Sequence, residues 1–137
     1  LKQAPEISKV VLAEETKPQK PIIEHPGEGW ERGPDLADLP DGVVLRFDLS
    51  QESVLIRRNG DVLKAFYNRC PHRRFALDGG LHDAEGCDGD GKRKEITCPW
   101  HGWTFDVDTG ECLNNKTGSP LVPVPLIERQ GALWLRP

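Results

Sequence analysis

From Gly29 onward the chain alternates short apolar runs with clusters of turn-forming residues, and it never sustains a helical period. Residues 53–58 and Val62–Tyr67 flank Asn59-Gly60-Asp61, which predicts a hairpin because asparagine and glycine tolerate positive φ. The same arrangement recurs twice. Residues 104–107 and 111–113 flank Asp108-Thr109-Gly110, and Leu126–Arg129 and Ala132–Leu135 flank Gln130-Gly131. Residues 43–47 read as a further strand, 29–32 as a first strand ahead of a turn region at 35–42, and Ile96-Thr97 as a very short one. The pattern predicts an all-β fold of antiparallel strands.

Composition agrees with short elements and many turns: 14 glycines, 12 prolines and 36% hydrophobic residues in a 137-residue chain, a length that suits one domain. Residues 1–28 are of a different kind. Pro5, Pro18, Pro21 and Pro26 stand among lysines and glutamates, a density that prevents a long helix. This predicts a proline-rich arm or linker, with Val10, Val11 and Leu12 as an apolar anchor, ahead of a domain spanning 29–137. A net charge of −4 argues against nucleic acid as the partner. No apolar run approaches the length of a membrane span and no signal-peptide pattern is present, so the expectation is a soluble protein with no membrane partner.

Candidate chemistry changes this picture. Cys70-Pro71-His72 and, after 25 intervening residues, Cys98-Pro99-Trp100-His101-Gly102-Trp103 each supply one cysteine and one histidine. Four donors of two kinds on two loops imply a metal centre, and thiolate with imidazole suits zinc or an iron–sulfur cluster in which two histidines replace two cysteines on one iron.

The full pattern, Cys-Pro-His-Arg then Cys-Pro-Trp-His-Gly-Trp-x-Phe-Asp, resembles the Rieske [2Fe–2S] family in its ferredoxin and ring-hydroxylating oxygenase branch. The resemblance covers residues 29–137. It implies an antiparallel β-sheet base domain with a small cluster-binding subdomain of two loops, 69–75 and 98–104. It also implies one [2Fe–2S] cluster held by Cys70, His72, Cys98 and His101. Arg73, Trp100, Gly102, Trp103 and Pro120 are then expected around the cluster. Gly102 allows a tight loop, Trp100 and Trp103 shield, and Pro120 belongs to a covering loop; Arg73 and Arg74 are docking charges or solvated residues. Replacing two thiolates by neutral imidazoles lowers the negative charge and makes reduction easier, roughly −150 to +300 mV against about −400 mV for plant-type ferredoxins. High-potential members carry at position 103 a serine that bonds a cluster sulfur. Tryptophan cannot do so, and a potential at the low end is expected.

Cys87 and Cys112 match no disulfide of the respiratory branch, so they read as free thiols in a reducing cytoplasm. Relatives commonly have a shorter interval between the ligand pairs, so residues 78–95 read as an insertion, a solvated surface loop. Its acidic run does not hold calcium-loop register: counting from Asp83 the third oxygen position falls on Cys87, and from Asp88 on Lys92. His25 and His82 read as surface residues.

The expected function is electron carriage, not catalysis: a ferredoxin passing single electrons from a reductase to an oxygenase. No two-histidine, one-carboxylate iron site is evident, since two of the four histidines are already assigned. The alternatives are an excised N-terminal Rieske domain of a larger oxygenase, a small subunit of a reductase complex and, as a non-redox module, structural zinc.

Overall fold

The computed structural model describes residues 24–71, 75–82 and 84–137. The expected arm, and with it the apolar anchor at Val10 to Leu12, lies outside the described residues apart from its last five positions. Eight strands follow: β1 (Glu31–Asp35), β2 (Val44–Asp48), β3 (Ser53–Asn59), β4 (Val62–Tyr67), β5 (Glu95–Thr97), β6 (Thr104–Asp106), β7 (Leu126–Arg129) and β8 (Ala132–Leu135). They form three antiparallel sheets in the orders β1-β8-β7, β2-β3-β4 and β5-β6. The all-β expectation holds, with two short 3-10 turns and no α-helix among the described residues.

Turn chemistry sets the hairpins. Asn59 pairs with Val62, so the β3–β4 connection is the two-residue turn Gly60-Asp61. In the β7–β8 turn Gln130 and Gly131 both have positive φ, 54° and 83°, as a type I′ turn requires. The Glu128 carboxylate accepts the Gly131 N–H at 2.6 Å and steadies this conformation.

Two expected strands are displaced. The first begins at Glu31, and its register against β8 breaks between Arg32 and Asp35, where Pro34 has no N–H to offer the ladder. Residues 111–113 make only a single bridge, Cys112 to Phe105. Beyond it the Thr104 N–H is taken by the Asn114 side chain, so a side chain replaces the next backbone rung.

β3 organises the interior because it is buried on both faces. Val54 and Ile56 point into one core with Leu39, Ala65, Val124, Leu133 and Leu135. Leu55 points the other way, into a core formed with Phe66, Cys70, Leu77, Ile96, Cys98 and Phe105. Side chains alternate along a strand, so one stretch of four residues serves a base core and a cysteine core at once.

Arg57, on the Leu55 face and 1% exposed, rivets the two halves together. Its guanidinium donates to both Asp108 oxygens, at 2.9 and 3.3 Å, and to the Gly42 carbonyl at 2.7 Å. Gly42 also accepts the Arg93 N–H at 2.8 Å. β3, the turn after β6 and the long loop thus meet at one point.

The loop at 78–95, expected to be a solvated insertion, is exposed along about half of its described residues and also carries internal structure. Asp78–His82 forms a 3-10 turn with Gly80 buried. Further on, the Gly86 carbonyl accepts the Lys94 and Glu95 N–H groups, and the Asp88 carboxylate accepts those of Asp90 and Lys92. Arg93, only 8% exposed, reaches the carbonyls of Glu95 and Leu81. The aspartates and glycines that suggested solvation act instead as local acceptors and as points of close approach: a Cβ on Gly86 would strike the Glu95 carbonyl oxygen. Gly79, His82, Ala84, Glu85, the tip from Gly89 to Gly91, Lys94 and Glu95 are exposed, while Gly80 and Arg93 are buried.

Removing Arg57 takes from Asp108 its two guanidinium bonds and from the Gly42 carbonyl one of its two donors, the Arg93 N–H remaining. Arg57→Ala is expected to cost about 3 kcal/mol, the low end for breaking a buried pair because Asp108 keeps some water, or roughly 10 °C in melting midpoint. The Arg57 hydrogen bonds hold the Asp108 carboxyl below its ordinary value of 3.8. A depressed native pKa contributes stability above the unfolded value that is lost as pH falls through the native one. Melting midpoints should therefore hold from neutrality down to about pH 5, fall at lower pH, and fall less steeply in Asp108→Asn.

Candidate metal centre

The β3–β4 hairpin delivers the chain to the first ligand loop and β5 delivers it to the second. The two loops close in the same way. The Cys70 N–H donates to the Phe75 carbonyl and the Cys98 N–H to the Trp103 carbonyl, each at 2.7 Å and each across five residues. Gly102, at φ 71°, makes the sharp return in the second loop, its N–H on the Cys98 carbonyl at 3.0 Å.

Both cysteines lie outside any disulfide and are sunk in the same core, Cys70 at 0% and Cys98 at 1% exposure. His101 is half-buried, with Nδ1 4.0 Å from Cys98 Sγ. Its ring stacks on Phe75 of the first loop at 5.7 Å, and Phe75 in turn lies 5.1 Å from Trp100. These aromatic contacts bring the tips of the two loops together. His72, Arg73 and Arg74 lie outside the described residues.

The two tryptophans behave differently. Trp103 is half-buried and packs on the cysteine core. Trp100 is 67% exposed, so its outer surface faces solvent. With Phe75, at 42% exposure, it forms an apolar rim beside His101. A shallow recess next to this rim is lined by Ala76, Asp78, Gly79, Pro99 and Trp100. Pro120 lines a different groove, with Lys64, Phe66, Thr109, Leu121 and Pro123, none of which belongs to a ligand loop.

Two asparagines absent from the sequence reading fasten the loops. Asn68, buried two residues before Cys70, accepts the N–H groups of Leu77 and Asp78 at 2.9 and 3.1 Å and donates to Ser53 and Asp78 side chains. Asn114 accepts the Thr104 N–H at 2.9 Å and donates to the Gly102 carbonyl at 2.8 Å. No spacing rule marks either; the only signal is that an amide both donates and accepts, which suits it to tie irregular backbone. Burial works to raise the Asp78 carboxyl's pKa, but hydrogen bonds from Asn68 and Arg46 outweigh it and hold the group low. An anionic Asp78 bonded to Arg46 at 3.1 Å thus anchors the foot of the first loop.

The donor set fits a binuclear cluster. A single tetrahedral ion takes all its ligands at one point, whereas a cluster of two irons divides them between its ends. Two buried thiols and an outer imidazole instead match a centre whose sulfur-held end is deep and whose nitrogen-held end is near solvent.

Comparison with known proteins agrees. Residues 30–125 match the family model described as the Rieske [2Fe-2S] domain. The carnitine monooxygenase oxygenase subunit of Acinetobacter baumannii is 35% identical over 106 residues, which cover 70% of this chain and 26% of that protein. The chain therefore spans about a quarter of the length of such relatives. Among solved structures, the ferredoxin of carbazole 1,9a-dioxygenase from Nocardioides aromaticivorans superposes with a TM-score of 0.60 at 30% identity, covering 79% of this chain and 97% of the ferredoxin. The quaternary ammonium Rieske monooxygenase CntA, solved with L-carnitine, gives 0.60 at 29% identity, covering 78% of this chain and 31% of that one. Fold, donor set and these comparisons lead to one conclusion: the chain belongs to the Rieske [2Fe–2S] domain family, whose cofactor is one [2Fe–2S] cluster and whose work is electron transfer.

Proposed function

We propose that this chain acts as a ferredoxin-type one-electron carrier, taking electrons from a reductase and passing them to an oxygenase. The observation that carries the reading is the polarity of the site: Cys70 and Cys98 are fully buried while His101 lies at the surface side, rimmed by exposed Phe75 and Trp100. When bound, the cluster supplies reversible one-electron chemistry at roughly −150 to +300 mV. Cys70 and Cys98 would hold its inner iron and His72 and His101 its outer one. The core around the cysteines keeps water from the sulfur end, and the apolar rim gives a partner protein a desolvated seat next to the imidazole edge. The likeness to nearly the whole length of the carbazole dioxygenase ferredoxin supports a stand-alone carrier. Cys87 and Cys112, both free, support a reducing, cytoplasmic setting. Among the described residues no helix is long and apolar enough to cross a membrane.

A second reading has its own support. Similarity to carnitine monooxygenase oxygenase subunits, of which the chain spans 26%, favours an electron-relay domain within an oxygenase polypeptide. Iron content of the gene's full product separates the two: two irons per polypeptide for a carrier, three for an oxygenase that also holds mononuclear iron.

Trp103 offers no hydroxyl to a cluster sulfur, and this sets the expected potential. Voltammetry should place it near the bottom of the Rieske range, roughly −150 mV, and Trp103→Ser should raise it if the hydroxyl reaches the sulfur. A value well above zero in the native protein would remove the oxygenase-partner reading.

The apolar rim generates a kinetic expectation. Trp100→Ala should lower kcat/KM for reduction by a cognate reductase about tenfold, the effect of losing one aromatic anchor, with cluster content and potential unchanged. An unaltered rate would move the docking surface away from this rim.

A further inference from the structure

Asn114 stands outside both ligand motifs, yet it is the side chain through which the hairpin after the second loop grips that loop. Its amide brackets Trp103: Oδ1 accepts the Thr104 N–H at 2.9 Å, and Nδ2 donates to the Gly102 carbonyl at 2.8 Å. The Trp103 carbonyl, between these two points, accepts the Cys98 N–H, and Gly102 directly follows His101. One amide therefore fixes the Gly102–Trp103 peptide, one residue past His101, and the Trp103–Thr104 peptide, whose carbonyl closes the Cys98 turn.

We propose that Asn114 is a positioning residue for the cluster, one that sets the orientation of His101 relative to Cys98 and slows the loss of the [2Fe–2S] centre. The inference rests on the assignment of Cys98 and His101 as ligands. Only a side chain with a donor and an acceptor at the two ends of one planar group can make this bracket, so neither leucine nor aspartate replaces it. Gly102 at φ 71° is the most adaptable link in the loop, and the Asn114 bond to its carbonyl removes that freedom. Asn114 is itself solvent-exposed, so its replacement leaves both cores intact. The neighbouring Asn115 serves as an internal control. Its side-chain oxygen accepts the Thr117 N–H at 3.1 Å and the Thr117 hydroxyl at 3.0 Å, both within its own loop.

The test compares the reconstituted native protein with Asn114→Leu, Asn114→Asp and Asn115→Ala. The readouts are the rate at which visible absorbance is lost to an iron chelator, the EPR g-anisotropy of the reduced state, and the melting midpoint. Asn114→Leu should lose the cluster about tenfold faster, the lower end of the effect of removing a partner one shell out from a metal ligand, and should shift the g-values. Asn114→Asp, which keeps the Thr104 bond but sets a carboxylate against the Gly102 carbonyl, should fall between. Asn115→Ala should leave loss rate and g-values as in the native protein. Native-like loss rates and g-values in both Asn114 variants would overturn the proposal, and so would equal changes in Asn115→Ala, which would reduce the role to general loop stability. Native protein that takes up no [2Fe–2S] cluster would instead break the ligand assignment itself, an outcome visible before any variant is compared.

Discussion

Everything in this structure answers to the burial of two thiols, from loops 28 positions apart, in one small core. Cys70 and Cys98 share that core with Leu55, Phe66, Leu77, Ile96 and Phe105. A hydrophobic surround keeps water from the sulfur end of a cluster and lets hydrogen bonds and charge tune its potential strongly. The loops themselves are too short to fold alone. Their geometry is borrowed from β3 and β4 below and from β5 and β6 beside them, and the equal five-residue closures at Cys70 and Cys98 show the same solution used twice.

That demand explains why β3 has no solvated face. Val54 and Ile56 fill the base core while Leu55 and Arg57 face the cysteine side, so the strand is the shared wall of two compartments. A charged residue on the inner face would be costly unless paired. Arg57 meets Asp108 on the second subdomain and the Gly42 carbonyl on the base, and the burial cost is turned into a specific joint.

How much of this was legible in the sequence follows from the kind of force involved. The β3–β4 and β7–β8 hairpins were readable because Gly60 and Gly131 mark turns that few other residues can make, and Val62–Tyr67 was placed to the residue. The first strand slipped because Pro34 blocks a regular ladder and moves the pairing to either side of it. The internal bonds of Asp88, Gly86 and Arg93 could not be read from 78–95, since a side chain that bonds its own backbone has the same composition as one that faces water. The ligand residues carried the family; their supports did not. Asn68 and Asn114 act through hydrogen bonds to backbone groups several residues away, which depend on how the chain returns in space.

The division of ligands between two irons is the central claim, and pulsed EPR of the reduced, reconstituted protein tests it most directly. With natural and with 15N-labelled histidine, the spectrum should show a low average g-value and couplings to two histidine nitrogens, one of which disappears in His101→Ala if any cluster is retained. A spectrum with no nitrogen coupling, or a protein that binds stoichiometric zinc and no iron when prepared without air, would contradict it.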